Sequence, residues 1–214
     1  MKVVVVDYGS GNLRSVVKAL ELAARDIREI NQILLTSDSG DLSNADYVVL
    51  PGVGSFGDCL TGLKNLAGMR EKLKEFAIDR CRPFLGICVG MHLMGSRGLE
   101  YGEHFGLGWI KGEVTELTPQ DKELKIPHMG WNELILDDKS HPFFLNVGNS
   151  AHVYFVHSYS MKCERKKNVL ARVVHGEDIA AVVGFENMIG TQFHPEKSQR
   201  VGLAMLKNFL SWRP

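Results

Sequence analysis

The sequence predicts an α/β fold of three layers, with a central, mostly parallel mixed sheet flanked by helices around a flavodoxin-like core. Three observations predict it. Short β-branched runs without alternation, at residues 2–6 and 47–50, read as strands buried on both faces of a parallel sheet. Glycine-containing turns follow these runs, and helical apolar periods follow the turns. The C-terminal half carries short alternating runs instead, the pattern of antiparallel strands added to a parallel core.

Taken in order, the first strand, 2–6, ends in Asp7-Tyr8-Gly9-Ser10-Gly11-Asn12, and a helical pattern runs on through Leu13, Val16, Val17, Leu20 and Leu22. The two glycines resemble a phosphate-binding turn. They lack the third glycine, and no acidic residue ends the second strand, 30–35, so a dinucleotide site is rejected. The strand at 47–50 closes in Pro51-Gly52-Val53-Gly54-Ser55-Phe56-Gly57, whose backbone is free to approach a ligand and to turn a peptide at small cost. Helices are predicted from about Asp58 and over 69–80, then a strand at 84–87. A glycine-rich stretch at 102–112 precedes strands at 113–117, 131–136, 153–158, 169–174, 180–185 and 188–192. Asn187 suits a tight hairpin between the last two. An amphipathic helix at 199–212 presents Val201, Leu203, Met205, Leu206, Phe209 and Leu210.

At 214 residues the chain reads as one domain, 1–214, large enough to bury a full core. Lys+Arg 25 balances Asp+Glu 25, so nothing points to nucleic acid or an anionic membrane surface. Cys59, Cys81, Cys88 and Cys163 show no zinc-type spacing, so neither a metal nor a cofactor is expected. The valine run after Met1-Lys2 is too short for a signal segment or a membrane span, which predicts a reducing, cytoplasmic location without structural disulfides.

The chemistry gathers at Pro83-Phe84-Leu85-Gly86-Ile87-Cys88-Val89-Gly90-Met91. A cysteine ends an apolar strand and has a glycine two residues to either side, the layout of a nucleophile elbow. The turn is too sharp for a Cβ at the flanking positions, and a thiolate gains from the start of the following helix. Near the C-terminus, His194-Pro195-Glu196 lies between the last strand and the last helix. In an extended segment His194 and Glu196 point to the same side, so Glu196 orients the imidazole that takes the Cys88 proton. A thiolate with an imidazole serves acyl transfer, for which Val89 N–H and a second N–H from the 51–54 loop, at Val53, are the candidate oxyanion donors.

With both halves present, Gly86-Ile87-Cys88-Val89-Gly90 and His194-Pro195-Glu196 resemble the motifs of class I, triad-type glutamine amidotransferases. Pro127-His128-Met129-Gly130-Trp131-Asn132, Tyr154-Phe155-Val156-His157-Ser158-Tyr159 and the Asp7-to-Asn12 stretch narrow the resemblance to the glutaminase subunits of histidine biosynthesis, essentially end to end. The resemblance implies that glutamine is hydrolysed to glutamate and ammonia, and that the ammonia enters a (βα)8-barrel cyclase bound as heterodimer partner. It further implies that Gly52 and the Val53 N–H form the switchable half of the oxyanion hole and Val89 the fixed half. His92, His157, Ser158 and Tyr159 would then hold the substrate, while Asn12, Trp131, Tyr154 and Lys197 face the partner. His92 departs from the family, which usually has glutamine there, and its shape and tautomer differ. That departure motivates a second reading, a paralogous glutaminase feeding another amidating system such as surface-sugar biosynthesis. A catalytically silent binding subunit and a cysteine peptidase are the more distant alternatives.

Overall fold

In chain order the elements are β1 (Lys2–Val6), α1 (Leu13–Ala24), β2 (Gln32–Thr36), β3 (Tyr47–Gly52), α2 (Phe56–Asn65), α3 (Met69–Lys74), β4 (Phe84–Cys88) and α4 (Val89–Leu93). After them come β5 (Arg97–Gly98), β6 (His104–Phe105), β7 (Gly112–Glu116), β8 (His128–Glu133), β9 (Ile135–Leu136) and β10 (His152–His157). The chain ends with β11 (Tyr159–Cys163), β12 (Val169–Val174), β13 (Asp178–Phe185), β14 (Met188–Thr191) and α5 (Gln199–Ser211). The computed structural model describes residues 1–121, 123–148 and 150–214.

Eight strands form the central sheet, in the order β2-β1-β3-β4-β14-β13-β12-β9. β2, β1, β3, β4 and β14 run parallel to one another, and β13, β12 and β9 extend the sheet antiparallel. Val3 to Val6 and Tyr47 to Leu50 are fully covered, as two-sided burial in a parallel sheet demands. Burying side chains of this kind contributes about 1.5–3 kcal/mol each. Helices flank the sheet in two groups, α1 with α5 and α2 with α3 and α4. Two smaller sheets stand beside it, β10-β8 and β11-β7-β5-β6.

Several boundaries differ from the sequence reading. The second strand is Gln32–Thr36 rather than 30–35, and α2 starts at Phe56, where the Ser55 hydroxyl accepts from Asp58 N–H and caps it. The helix expected over 69–80 keeps α-geometry to Lys74 and then widens into a π-turn at Glu75–Asp79, closed by Arg80 N–H on Glu75 C=O. The strand expected at 131–136 is two strands, β8 beginning at His128 and β9 separated from it at Leu134. The hairpin at Asn187 forms as expected, with Phe185 paired to Met188 and Glu186 at φ 53°.

Candidate active site

β3, β4 and β14 lie side by side, with Gly52 paired to Cys88 and Thr191 to Ile87. Their carboxyl ends therefore meet at one edge of the sheet, where open α/β sheets place ligands. Cys88 closes β4 at φ 54° and ψ −113°, a backbone region that side chains rarely adopt. Its neighbours show why both flanking positions are glycine. A Cβ on Gly90 would lie 1.8 Å from the Leu50 carbonyl oxygen, and one on Gly86 would lie 2.7 Å from the Gly90 oxygen.

His194 follows β14 and lies beside the sulfur. Its Nδ1 is 2.8 Å from Glu196 Oε1, and the two side chains are 4% and 2% exposed. The sequence reading placed this pair on an extended segment. Only His194 is extended, and Pro195–Lys197 forms a 3₁₀ turn that brings Glu196 back onto the ring. Burial works against a charge on His194, but its hydrogen bonds to Cys88 and Glu196 and their negative charge outweigh burial and raise it to about 9. The imidazolium is the favoured form at neutral pH.

A cavity of about 300 Å³ opens over the cysteine, lined by Val53, Cys88, Val89, His92, Glu100 and His194 at its chemical end. Gly54, Pro127, Val156, His157, Ser158, Tyr159 and Lys197 complete the wall. The structure thus brings together the residues of the expected triad, Val53 and Val89 of the expected oxyanion set, and the four expected substrate contacts. Gly52 lies beside them in β3, where a Cβ would meet Gly90 N at 2.6 Å.

Val53 departs from the expected oxyanion geometry. Its N–H donates to Ser10 Oγ at 2.9 Å, and its C=O accepts from the same hydroxyl at 2.6 Å. The Cys59 thiol adds a weaker donor to that carbonyl at 3.5 Å. In this state the donor faces the Asp7-to-Asn12 loop instead of the cavity. A serine hydroxyl, which both donates and accepts, can hold the N–H and the C=O of one residue together. His157 also differs from a free substrate contact. Its Nδ1 is 2.9 Å from Tyr159 O and its Nε2 3.0 Å from His128 Nδ1. Burial lowers His157 to about 3 and His128 to about 4, so this pair is neutral.

Trp131, Tyr154 and Lys197, three of the residues expected to face a partner, form one cluster. The Trp131 and Tyr154 rings meet edge to face at 6.0 Å, and Lys197 Nζ sits 5.9 Å from the Tyr154 centroid. Asn12 is exposed at the entry to α1. Two groups at the site went unread in the sequence, one part-buried and one fully buried. Glu100 lines the cavity and accepts from the Phe56 N–H at the start of α2, 2.7 Å away; its only sequence signal is an acid in the loop after the elbow helix. Gln192 sits within the same stretch as His194, and its amide reaches both His92 and Cys88. Among the described residues no group of His, Cys, Asp or Glu is arranged to hold a metal ion.

The glutamine amidotransferase class-I family model matches residues 4–212. The chain belongs to this family. Among curated class-I amidotransferase relatives, imidazole glycerol phosphate synthase subunit HisH of Rhodospirillum rubrum is 52% identical, with all of both chains covered. The same-named subunit of Rhodopseudomonas palustris is 51% identical, again over the whole of both chains. These full-length matches put the chain with the HisH subunits. A solved glutamine amidotransferase from Thermotoga maritima, 14% identical, has a TM-score of 0.68 and covers 99% of this chain and 96% of that one. At that identity the likeness speaks for the fold alone. Among the described residues, no helix of this amidotransferase is long and apolar enough to cross a membrane.

Proposed function

We propose that this amidotransferase is the glutaminase of imidazole glycerol phosphate synthase in histidine biosynthesis, hydrolysing glutamine through Cys88, His194 and Glu196. The observation that carries the reading is the buried line from Cys88 through His194 to Glu196, with the Nδ1–Oε1 contact at 2.8 Å and the nucleophile on a strained elbow. The Cys88 thiolate adds to the side-chain amide carbon of glutamine. The tetrahedral intermediate then collapses as His194 gives its Nε2 proton to the departing nitrogen, leaving ammonia and a γ-glutamyl thioester. Water attacks next, His194 takes the proton it loses, and glutamate departs with the thiolate restored. Glu196 keeps the ring in the tautomer these transfers need and stabilises the imidazolium. Val89 N–H and the Val53 N–H, once turned from Ser10, would hold the oxyanion.

Glutamine also carries an α-ammonium and an α-carboxylate. Glu100 supplies a carboxylate in the cavity for the first, and the His157-Ser158-Tyr159 segment, with His92, borders the remainder. The likeness to HisH subunits supports a (βα)8-barrel cyclase as partner, docking on the face that carries Asn12, Trp131, Tyr154 and Lys197. Direct transfer between the two makes chemical sense, because ammonia released into neutral water becomes ammonium and loses its nucleophilic lone pair. The test is glutamate release by the chain with and without the histidine-pathway cyclase and its ligand. Stimulation that vanishes in Cys88→Ala supports the reading. No stimulation by that cyclase, or glutamine-dependent activity unchanged in Cys88→Ala, overturns it.

A further inference from the structure

Among the buried histidines around Cys88, His194 and His92 are electrostatic opposites. His194 holds a proton at neutral pH. His92, one helical turn beyond the cysteine in α4, is pushed down to about 4 by burial, which outweighs its hydrogen bond to Gln192. It is therefore a neutral ring, with one donor nitrogen and one acceptor.

Gln192 connects His92 to the nucleophile. Its Oε1 lies 2.8 Å from His92 Nε2, and its Nε2 lies 3.9 Å from Cys88 Sγ, the long end of a hydrogen bond to sulfur. An amide oxygen only accepts, so the proton between these two groups sits on His92 Nε2. With its oxygen committed to His92, the amide presents its NH2 end to the sulfur. The Gln192 side chain is 0% exposed, so no water competes for that end. Gln192 and His194 are alternate residues of one segment and face the same side, while Phe193 between them packs against Phe155 with ring centroids 5.8 Å apart. Two donors from a single segment thus converge on one sulfur.

We propose that Gln192 is a positioning residue for the nucleophile, its amide fixed in one orientation by the His92 ring so that an N–H dipole faces the Cys88 sulfur. This rests on the glutaminase reading and deepens it. The imidazolium donor is lost as His194 deprotonates, whereas the amide donor does not titrate. His92 thus acts through Gln192 in addition to bordering the substrate cavity. The departure from glutamine at this position keeps a donor because a neutral imidazole can donate where an amide would.

The test follows alkylation of Cys88 by iodoacetamide against pH, read by mass spectrometry on the Cys88 peptide so that Cys81 and Cys163 do not contribute. Gln192→Met keeps length and removes the donor. The expected result is an upward shift of the alkylation midpoint, a neutral-pH rate lower by roughly tenfold, and a loss in kcat with KM for glutamine little changed. His92→Gln, which can still donate to Gln192 Oε1, should keep the midpoint of the unsubstituted chain, and His92→Leu should move it as Gln192→Met does. An unmoved midpoint in Gln192→Met overturns the proposal. Should that variant not fold, equal midpoints in His92→Gln and His92→Leu overturn it instead. Failure of the glutaminase reading would show separately, as absent glutamate release by the unsubstituted chain with its cyclase.

Discussion

Cys88 occupies its positive-φ backbone because the elbow around it permits nothing else, and such a conformation costs on the order of 1–3 kcal/mol for a residue with a Cβ. That cost has a measurable sign. At an ordinary position alanine is more stabilising than glycine; at position 88 the order should reverse, with Cys88→Gly more stable than Cys88→Ala by about 1 kcal/mol in urea unfolding. The reverse order would mean that the elbow carries no strain. His194 gives a second residue-scale expectation. Its proton is retained up to about 9, and in the proposed mechanism the departing nitrogen takes that proton. Turnover of the activated enzyme should therefore hold through neutral pH and fall above about 9 as His194 deprotonates. A rate that continues level well beyond that value would assign the proton to another group. Ser10 gives a third. Its hydroxyl accepts from the Val53 N–H and donates to the Val53 C=O, so Ser10→Ala removes the hydrogen bond that holds the donor away from the cavity together with the one that anchors the next peptide. Glutamate release by the isolated chain should rise several-fold, by the roughly 0.5–1.5 kcal/mol that one such neutral bond contributes. Unchanged basal release would mean that other contacts hold the peptide.

At the scale of elements, α5 fixes the turn that carries His194 and Glu196. Gly202 lies against that turn so closely that a Cβ would sit 1.9 Å from the Pro195 carbonyl oxygen. Gly202→Ala must push the helix off the turn, since a backbone atom cannot yield as a side-chain end can. The expected outcome is a loss of at least about 1–3 kcal/mol in stability, accompanied by a fall in kcat as Glu196 moves from the ring. A variant with full kcat would show that the helix and the turn are independent. The contrast with the elbow explains what was legible in the sequence. Gly86 and Gly90 announce the turn because they flank the cysteine at a fixed spacing and neither position tolerates a Cβ, and the β-branched runs announce two-sided burial. The 3₁₀ turn at Pro195–Lys197 is set by α5, which sequence spacing does not encode. β11 was missed because Ser158 lets the chain pass from the β10-β8 sheet to the β11-β7 pairing without a glycine or proline to mark it. β5 and β6 have two residues each, too few for any period, and so the loop that brings Glu100 to the cavity had no signal. The role of Gln192 depends on partners 100 and 104 residues away.

For the molecule as a whole, the site stands at the junction of two halves of the sheet. The parallel half supplies Cys88 and the Val53 loop, and β14, returning from the antiparallel half, supplies Gln192 and His194. The apolar surface beside this junction is exposed. Met129 and Trp131 occupy one face of β8 and are 62% and 47% exposed, and Val53 at the cavity mouth is 47% exposed. With a formal net charge of +0 the chain has little long-range field to steer an encounter, so on the proposed reading affinity for the partner subunit would come from contact on this surface. Large aromatic side chains dominate such contacts when water is excluded around them. Trp131→Ala should therefore weaken binding of the histidine-pathway cyclase by roughly tenfold or more in calorimetric titration. It should leave Cys88 alkylation in the isolated chain unchanged, because Trp131 touches Tyr154 and not the triad. The weakening should also change little with ionic strength, unlike the loss from Lys197→Ala, whose ammonium lies over the Tyr154 ring and whose contribution salt would screen. Equal affinity of the Trp131→Ala and unsubstituted chains would move the docking face away from β8, and with it the route by which the partner reaches the Val53 peptide.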